Sequence, residues 1–67
     1  MEEDYIEEKT CYLEQGKNKD KTFYDLMMYK KKDLDFYYQC FLYDKNNLKV
    51  LTYQQNKFIM LYEKHYK

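Results

Sequence analysis

The chain has 67 residues, 12 lysines against 12 acidic side chains, a formal net charge of zero and a polar mean hydropathy of −1.07. That length holds one domain, 1–67, below the size at which a single core stabilises itself comfortably, so cover from a target protein or a second copy is expected. Balanced charge argues against a dedicated polyanion binder, which needs excess positive charge on one face, and against an acidic mimic of DNA.

Residues 1–8, MEEDYIEE, are acidic, while Lys17, Lys19, Lys21 and the run Lys30, Lys31 and Lys32 are basic. Both blocks read as solvated ends and turns. The fold of residues 2–8 stays open: Tyr5, Ile6, Tyr12 and Leu13 recur as on a helix, yet 9–15 resembles a first strand. Turn chemistry recurs at Gly16 to Lys21, Lys30 to Asp33, Asp44 to Asn47 and Gln54 to Lys57. Between these lie segments of about 7 to 11 residues rich in Tyr, Phe, Leu, Val and Thr, the spacing of a β-meander.

Residues 22–30, TFYDLMMYK, read as a strand with Tyr24, Leu26 and Met28 on one side. The next segment, LDFYYQCFLYD, concentrates five rings in the eight residues FYYQCFLY. Its even positions Leu34, Phe36, Tyr38, Cys40 and Leu42 are almost wholly apolar, and its odd positions mix rings with polar groups, a period of two. An Asp44–Asn47 turn, with Asn47 left-handed, then pairs Leu42 with Val50, Cys40 with Thr52, Phe41 with Leu51 and Gln39 with Tyr53. Residues 57–66 fit a strand, although Phe58, Leu61, Tyr62 and His65 also make a helical stripe. The expected fold is mainly β: a small antiparallel β-meander of four or five strands with a short terminal helix, or α+β with an N-terminal helix on the sheet.

Chemistry is expected to be absent. Cys11, Cys40 and His65 lack the close pairs that build a zinc site, and Cys11 and Cys40 are expected as free thiols. There is no serine, and the lone glycine excludes a Gly-rich phosphate loop. Paired carboxylates such as Glu7 and Glu8, or Asp33 and Asp35, read as solubility and strand-edge protection. The expectation is a chain that is not an enzyme and has no catalytic residue, no metal and no cofactor.

The odd side of the central strand is too aromatic to be left in water. Tyr37, Phe41, Tyr43, Leu51 and Tyr53 are therefore the expected partner-binding anchors, with Lys30, Lys31 and Lys32 as a rim that steers association. A homodimer is one use of such a face. Single-stranded nucleic-acid binding is the alternative, with bases stacking on these rings beside Lys49, though the zero net charge disfavours it.

No Arg, Ser, Ala, Pro or Trp occurs, and Lys, Tyr and Asn are in excess, the pattern of an A/T-rich genome. In size, acidic head and tyrosine content the chain resembles the small inhibitors that phages and mobile elements of low-GC bacteria make against host machinery, anti-CRISPR proteins among them. That resemblance implies a stoichiometric inhibitor of a host effector such as a CRISPR nuclease, acting by occlusion in the cytoplasm of a bacterial host. No apolar run approaches the ~20 residues of a membrane span, and the acidic start lacks the regions of a secretory signal.

Overall fold

Burial along residues 31–46 does not alternate. Leu34 and Tyr38 are buried, and Tyr37, Phe41 and Leu42 pack half-buried beside them, while Phe36 is 63% exposed. That is the i, i+3, i+4, i+7 spacing of one helix face. The computed structural model, which describes residues 6–67, places four helices there: α1 (Ile6–Thr10), α2 (Phe23–Tyr29), α3 (Lys31–Asn46) and α4 (Tyr53–Tyr66).

The β-meander is therefore corrected to a small all-α fold, and both sheet-containing alternatives fall with it. Among the described residues the extended pairing is one antiparallel bridge, Tyr12 to Thr22, which closes the 11–22 segment. Residues 23–29 and 34–44 are helical rather than strands, with Thr22 and Lys30 capping the first, and 57–66 take the helical stripe. The hairpin pairs Leu42–Val50, Cys40–Thr52, Phe41–Leu51 and Gln39–Tyr53 have no ladder to sit in. Of the open stretch 2–8, residues 2–5 lie outside the described residues, and Ile6, Glu7 and Glu8 are in α1. The physical reason is that Tyr, Phe, Val and Thr favour strands only as far as packing agrees. Helices in proteins draw most of their stability from an apolar stripe meeting a partner, which needs no alanine.

Local chemistry starts two of the helices. Thr22 accepts from the Asp25 amide while the Asp25 side chain accepts from the Thr22 amide, and Thr52 and Gln55 repeat the arrangement at α4. One residue, Lys30, separates α2 from α3, donating its amide to Leu26 and accepting from Leu34. In the 11–22 segment Gly16 takes φ +96°, and buried Asn18 donates to Asp33 Oδ2 (3.3 Å) and Tyr37 Oη (3.1 Å), tying the segment to α3.

The core gathers Cys11 and Leu13 with Phe23 and Leu26 of α2, Leu34 and Tyr38 of α3, and Phe58, Ile59, Leu61 and Tyr62 of α4. Phe58 meets Phe23 edge-on at 5.2 Å and Phe41 at 5.6 Å. α1 is held from both ends of α4: Glu8 is fully buried, with Oε2 2.5 Å from His65 Nε2, and Lys57, near the start of α4, pairs with Glu7 at 2.9 Å. Glu8 is thus an internal side chain, not the solubilising one expected. Its Oε1 has no partner among the described residues.

Tyr38 and Tyr62 join α3 to α4. Their rings stack at 3.9 Å and 10°, Tyr38 donates to Glu63 Oε2 (3.0 Å), and Tyr62 donates to Asp35 Oδ1 (2.7 Å). Each helix gives one phenol and one carboxylate. Contacts run in opposite chain directions, Lys31 over Tyr66 at 4.3 Å and Phe41 against Phe58, so the helices are antiparallel. Tyr62→Ala should destabilise by about 3–5 kcal/mol through the cavity and lost stack, against about 1 kcal/mol for Tyr62→Phe, which loses the hydroxyl bond alone. Equal losses in urea unfolding would show that the rings, as a stack, contribute little.

These phenols also set an alkaline limit. Burial, then the bond to Glu63, raises Tyr38 above the ordinary tyrosine value of 10.0, and the bond to Asp35, then burial, raises Tyr62. The folded chain keeps these protons at a pH where the unfolded chain has lost them. Their contribution is therefore full below 10.0 and declines as pH rises through the folded values. Thermal melts should show stability falling above that point, and the double variant Tyr38→Phe, Tyr62→Phe should fall less steeply. An unchanged slope in the double variant would assign the alkaline loss elsewhere.

Candidate interaction surface

The C-terminus of α3 closes in an unusual way for its sequence. The Leu48 amide donates to the Lys45 carbonyl (3.1 Å) and the Lys49 amide to the Asp44 carbonyl (3.0 Å), the paired bonds that end a helix on a left-handed residue. Glycine normally holds that position. Here it is Leu48, with φ +63°, while Asn47, the expected left-handed residue, has φ −98°. Leu48 is 92% exposed and Val50 97% exposed. A leucine in that conformation costs about 1–2 kcal/mol, and an aliphatic side chain in water adds nothing to the fold in return.

Beside this loop lies a groove of about 310 Å³ between the 12–15 segment, α3 and the start of α4. Leu13, Phe41 and Phe58 make its apolar lining, with Phe36, Tyr37 and Cys40 from α3. Glu14, Asp44, Thr52, Gln54 and Gln55 supply its polar groups. Several are braced: Thr52 Oγ1 donates to Glu14 Oε1 (2.8 Å), and Gln54 Oε1 accepts from the Tyr12 amide (3.1 Å). A shallower hollow continues over Gln39 and Tyr43, sharing Phe36, Cys40 and Asp44 with the first.

The anchors expected from sequence differ in their surroundings. Tyr37 and Phe41 are half-buried on the core stripe and Leu51 packs against the core, whereas Tyr43 and Tyr53 are exposed by 68% and 72%. Lys30, Lys31 and Lys32 stand at the opposite end of α3 from Tyr43, about 18 Å away at about 1.5 Å per residue. Lys31 is engaged there, bonded to Asp35 at 2.9 Å, which raises its ammonium above the ordinary value. The sheet face expected to carry those anchors is absent among the described residues, and a groove and loop lie at the Tyr43 end of α3. Phe36, Leu48 and Val50 were missed as exposed groups. Phe36 was hidden by assuming a period of two, and nothing in the sequence signals a left-handed leucine.

Cys11 is buried, its Sγ donating to the Gln54 carbonyl at 3.6 Å, and burial pushes its thiol up to about 12. Cys40 is half-buried in the groove wall, and both cysteines are free. Among the described residues no group of three or more His, Cys, Asp or Glu side chains could hold a metal ion, and no helix is long and apolar enough to cross a membrane. Compared with protein-family models, curated proteins and solved structures, the chain matches none.

The two thiols should separate chemically. Iodoacetamide added to the native protein should modify Cys40 and spare Cys11 until the chain unfolds, read by peptide mass spectrometry. Equal modification of both in the native state would show that the Cys11 region opens readily.

Proposed function

We propose that this chain is a non-enzymatic protein-binding module whose docking surface is the 47–53 loop together with the adjoining groove on α3. The observation that carries this reading is Leu48: a fully solvated leucine held left-handed where glycine would be more stable. Backbone strain at an exposed apolar residue is a feature that folding alone gives no reason to keep. Val50 in the same loop is exposed as well, and Tyr43 and Tyr53, of a residue type enriched among binding anchors, are exposed on the two flanking helices.

The more specific form of this proposal, stoichiometric inhibition of a host effector such as a CRISPR nuclease by occlusion, is supported by the small size and composition. The docking element in that form is the loop and groove, in place of a sheet face or edge strand. Nucleic-acid binding gains less support, because the charged side chains lining the groove are Glu14 and Asp44, which repel phosphate.

Leu48→Gly keeps the helix-ending hydrogen bonds and relieves the backbone, so it should stabilise the chain by about 1 kcal/mol. Combined with Val50→Ser it should abolish capture of the protein target that the unaltered chain retains in a pull-down from bacterial lysate. Gain of stability with loss of capture separates binding from folding. Retention of the same target by the double variant would remove the loop from the interface. Binding of short single-stranded oligonucleotides that weakens steeply with salt would replace the proposal with the nucleic-acid reading.

A further inference from the structure

The groove beside the loop has a chemistry more specific than apolar contact. We infer that it receives an arginine side chain from the partner protein, an assignment that rests on the protein-binding reading above.

Its volume of about 310 Å³ lies at the small end of ligand sites and suits one long side chain. Phe36, Tyr37, Phe41 and Phe58 line it, surfaces on which an alkyl stem packs and a planar cation stacks. Charge then selects the occupant. The chain carries 12 lysines, yet among the described residues the charged groups lining the groove are the carboxylates Glu14 and Asp44.

Both carboxylates are positioned and still able to bond. Glu14 spends one oxygen on the Thr52 hydroxyl. Asp44 Oδ1 is 3.6 Å from the ammonium of Lys49, whose side chain is 68% exposed, a loose contact that a better donor displaces. Guanidinium is that donor: it is planar, weakly hydrated and bonds a carboxylate through two parallel N–H groups, where a compact ammonium holds its water more tightly. Self-association cannot supply the occupant, because this chain contains no arginine.

The test titrates N-acetyl-arginine methylamide into the isotope-labelled full chain, beside N-acetyl-citrulline methylamide, its uncharged isostere. The arginine probe should shift the amides of Tyr37, Cys40, Asp44, Gln54 and Gln55 saturably, and the citrulline probe should bind at least about 10-fold more weakly. Glu14→Gln with Asp44→Asn, which keeps an acceptor for Thr52, should weaken the arginine probe by a similar factor while leaving the spectrum folded. Equal binding of the two probes, arginine binding unchanged in the double variant, or shifts that map outside the groove would each overturn the assignment. Leu48→Gly should leave probe binding unchanged, since Leu48 does not line the groove. Probe binding and target capture therefore fail independently, the first testing the arginine site and the second the docking reading.

Discussion

The register between α3 and α4 rests on one contact, the stacked phenols of Tyr38 and Tyr62 with their crossed hydroxyl–carboxylate bonds. A slip of one helical turn, about 5.4 Å, would break the stack and both bonds together. No compensating partner would follow, because Asp35 is also held by Lys31. The Tyr62–Asp35 bond shifts both of its ends: Tyr62, then Lys31, pulls the Asp35 carboxyl below its ordinary value, while the bond to Asp35, then burial, raises Tyr62. Phenylalanine could stack but could not specify this register, which accounts for tyrosine at these two places in a ring-rich sequence.

Locking the helix pair at that end leaves its other end free for different work. Towards the C-terminus of α3 the two helices are joined by the 47–52 connection, and the 11–15 segment fills only part of the space between them. The Phe41–Phe58 contact closes the core there, and the groove opens above it. Buried Asn18 holds the Tyr37 hydroxyl, so one wall of the groove is braced by the long N-terminal segment. The loop and groove are therefore consequences of a helix hairpin clasped firmly at one end, not features added to an already closed domain.

Parts of this arrangement were legible in the sequence and were read with the wrong period. Thr52 to Gln55 is a helix-start signature in plain view, and Thr22 to Asp25 is its shorter relative. Leu34, Tyr37, Tyr38, Phe41 and Leu42 spell one helical stripe, but taken two apart they also separate into a passable apolar parity. Phe36 decides between the two, being apolar in composition and solvated in fact. The stripe Phe58, Leu61, Tyr62 and His65 was visible as a helix. Other features had no local signal at all. Glu8 and His65 meet across 57 positions, and the groove takes side chains from three separated segments. The conformation of Leu48 is imposed by the way α3 ends.

Zero net charge, which argues against a dedicated polyanion binder, is a sum over two unlike ends of one helix pair. At the clasped end lysines are occupied: Lys31 lies over Tyr66 and against Asp35, and Lys67 lies 5.7 Å from the Tyr38 ring. At the open end the charged side chains lining the groove are, among the described residues, Glu14 and Asp44, with Lys49 3.6 Å from Asp44. Rings beside lysine form internal cation–π contacts that help close the fold, Lys31 over Tyr66 at 4.3 Å and Lys57 over Tyr53 at 5.8 Å. The same residue types, distributed differently along α3, thus make a packed clasp at one end and an open groove at the other. It is this asymmetry, rather than the total charge or the number of tyrosines, on which the proposed docking surface rests.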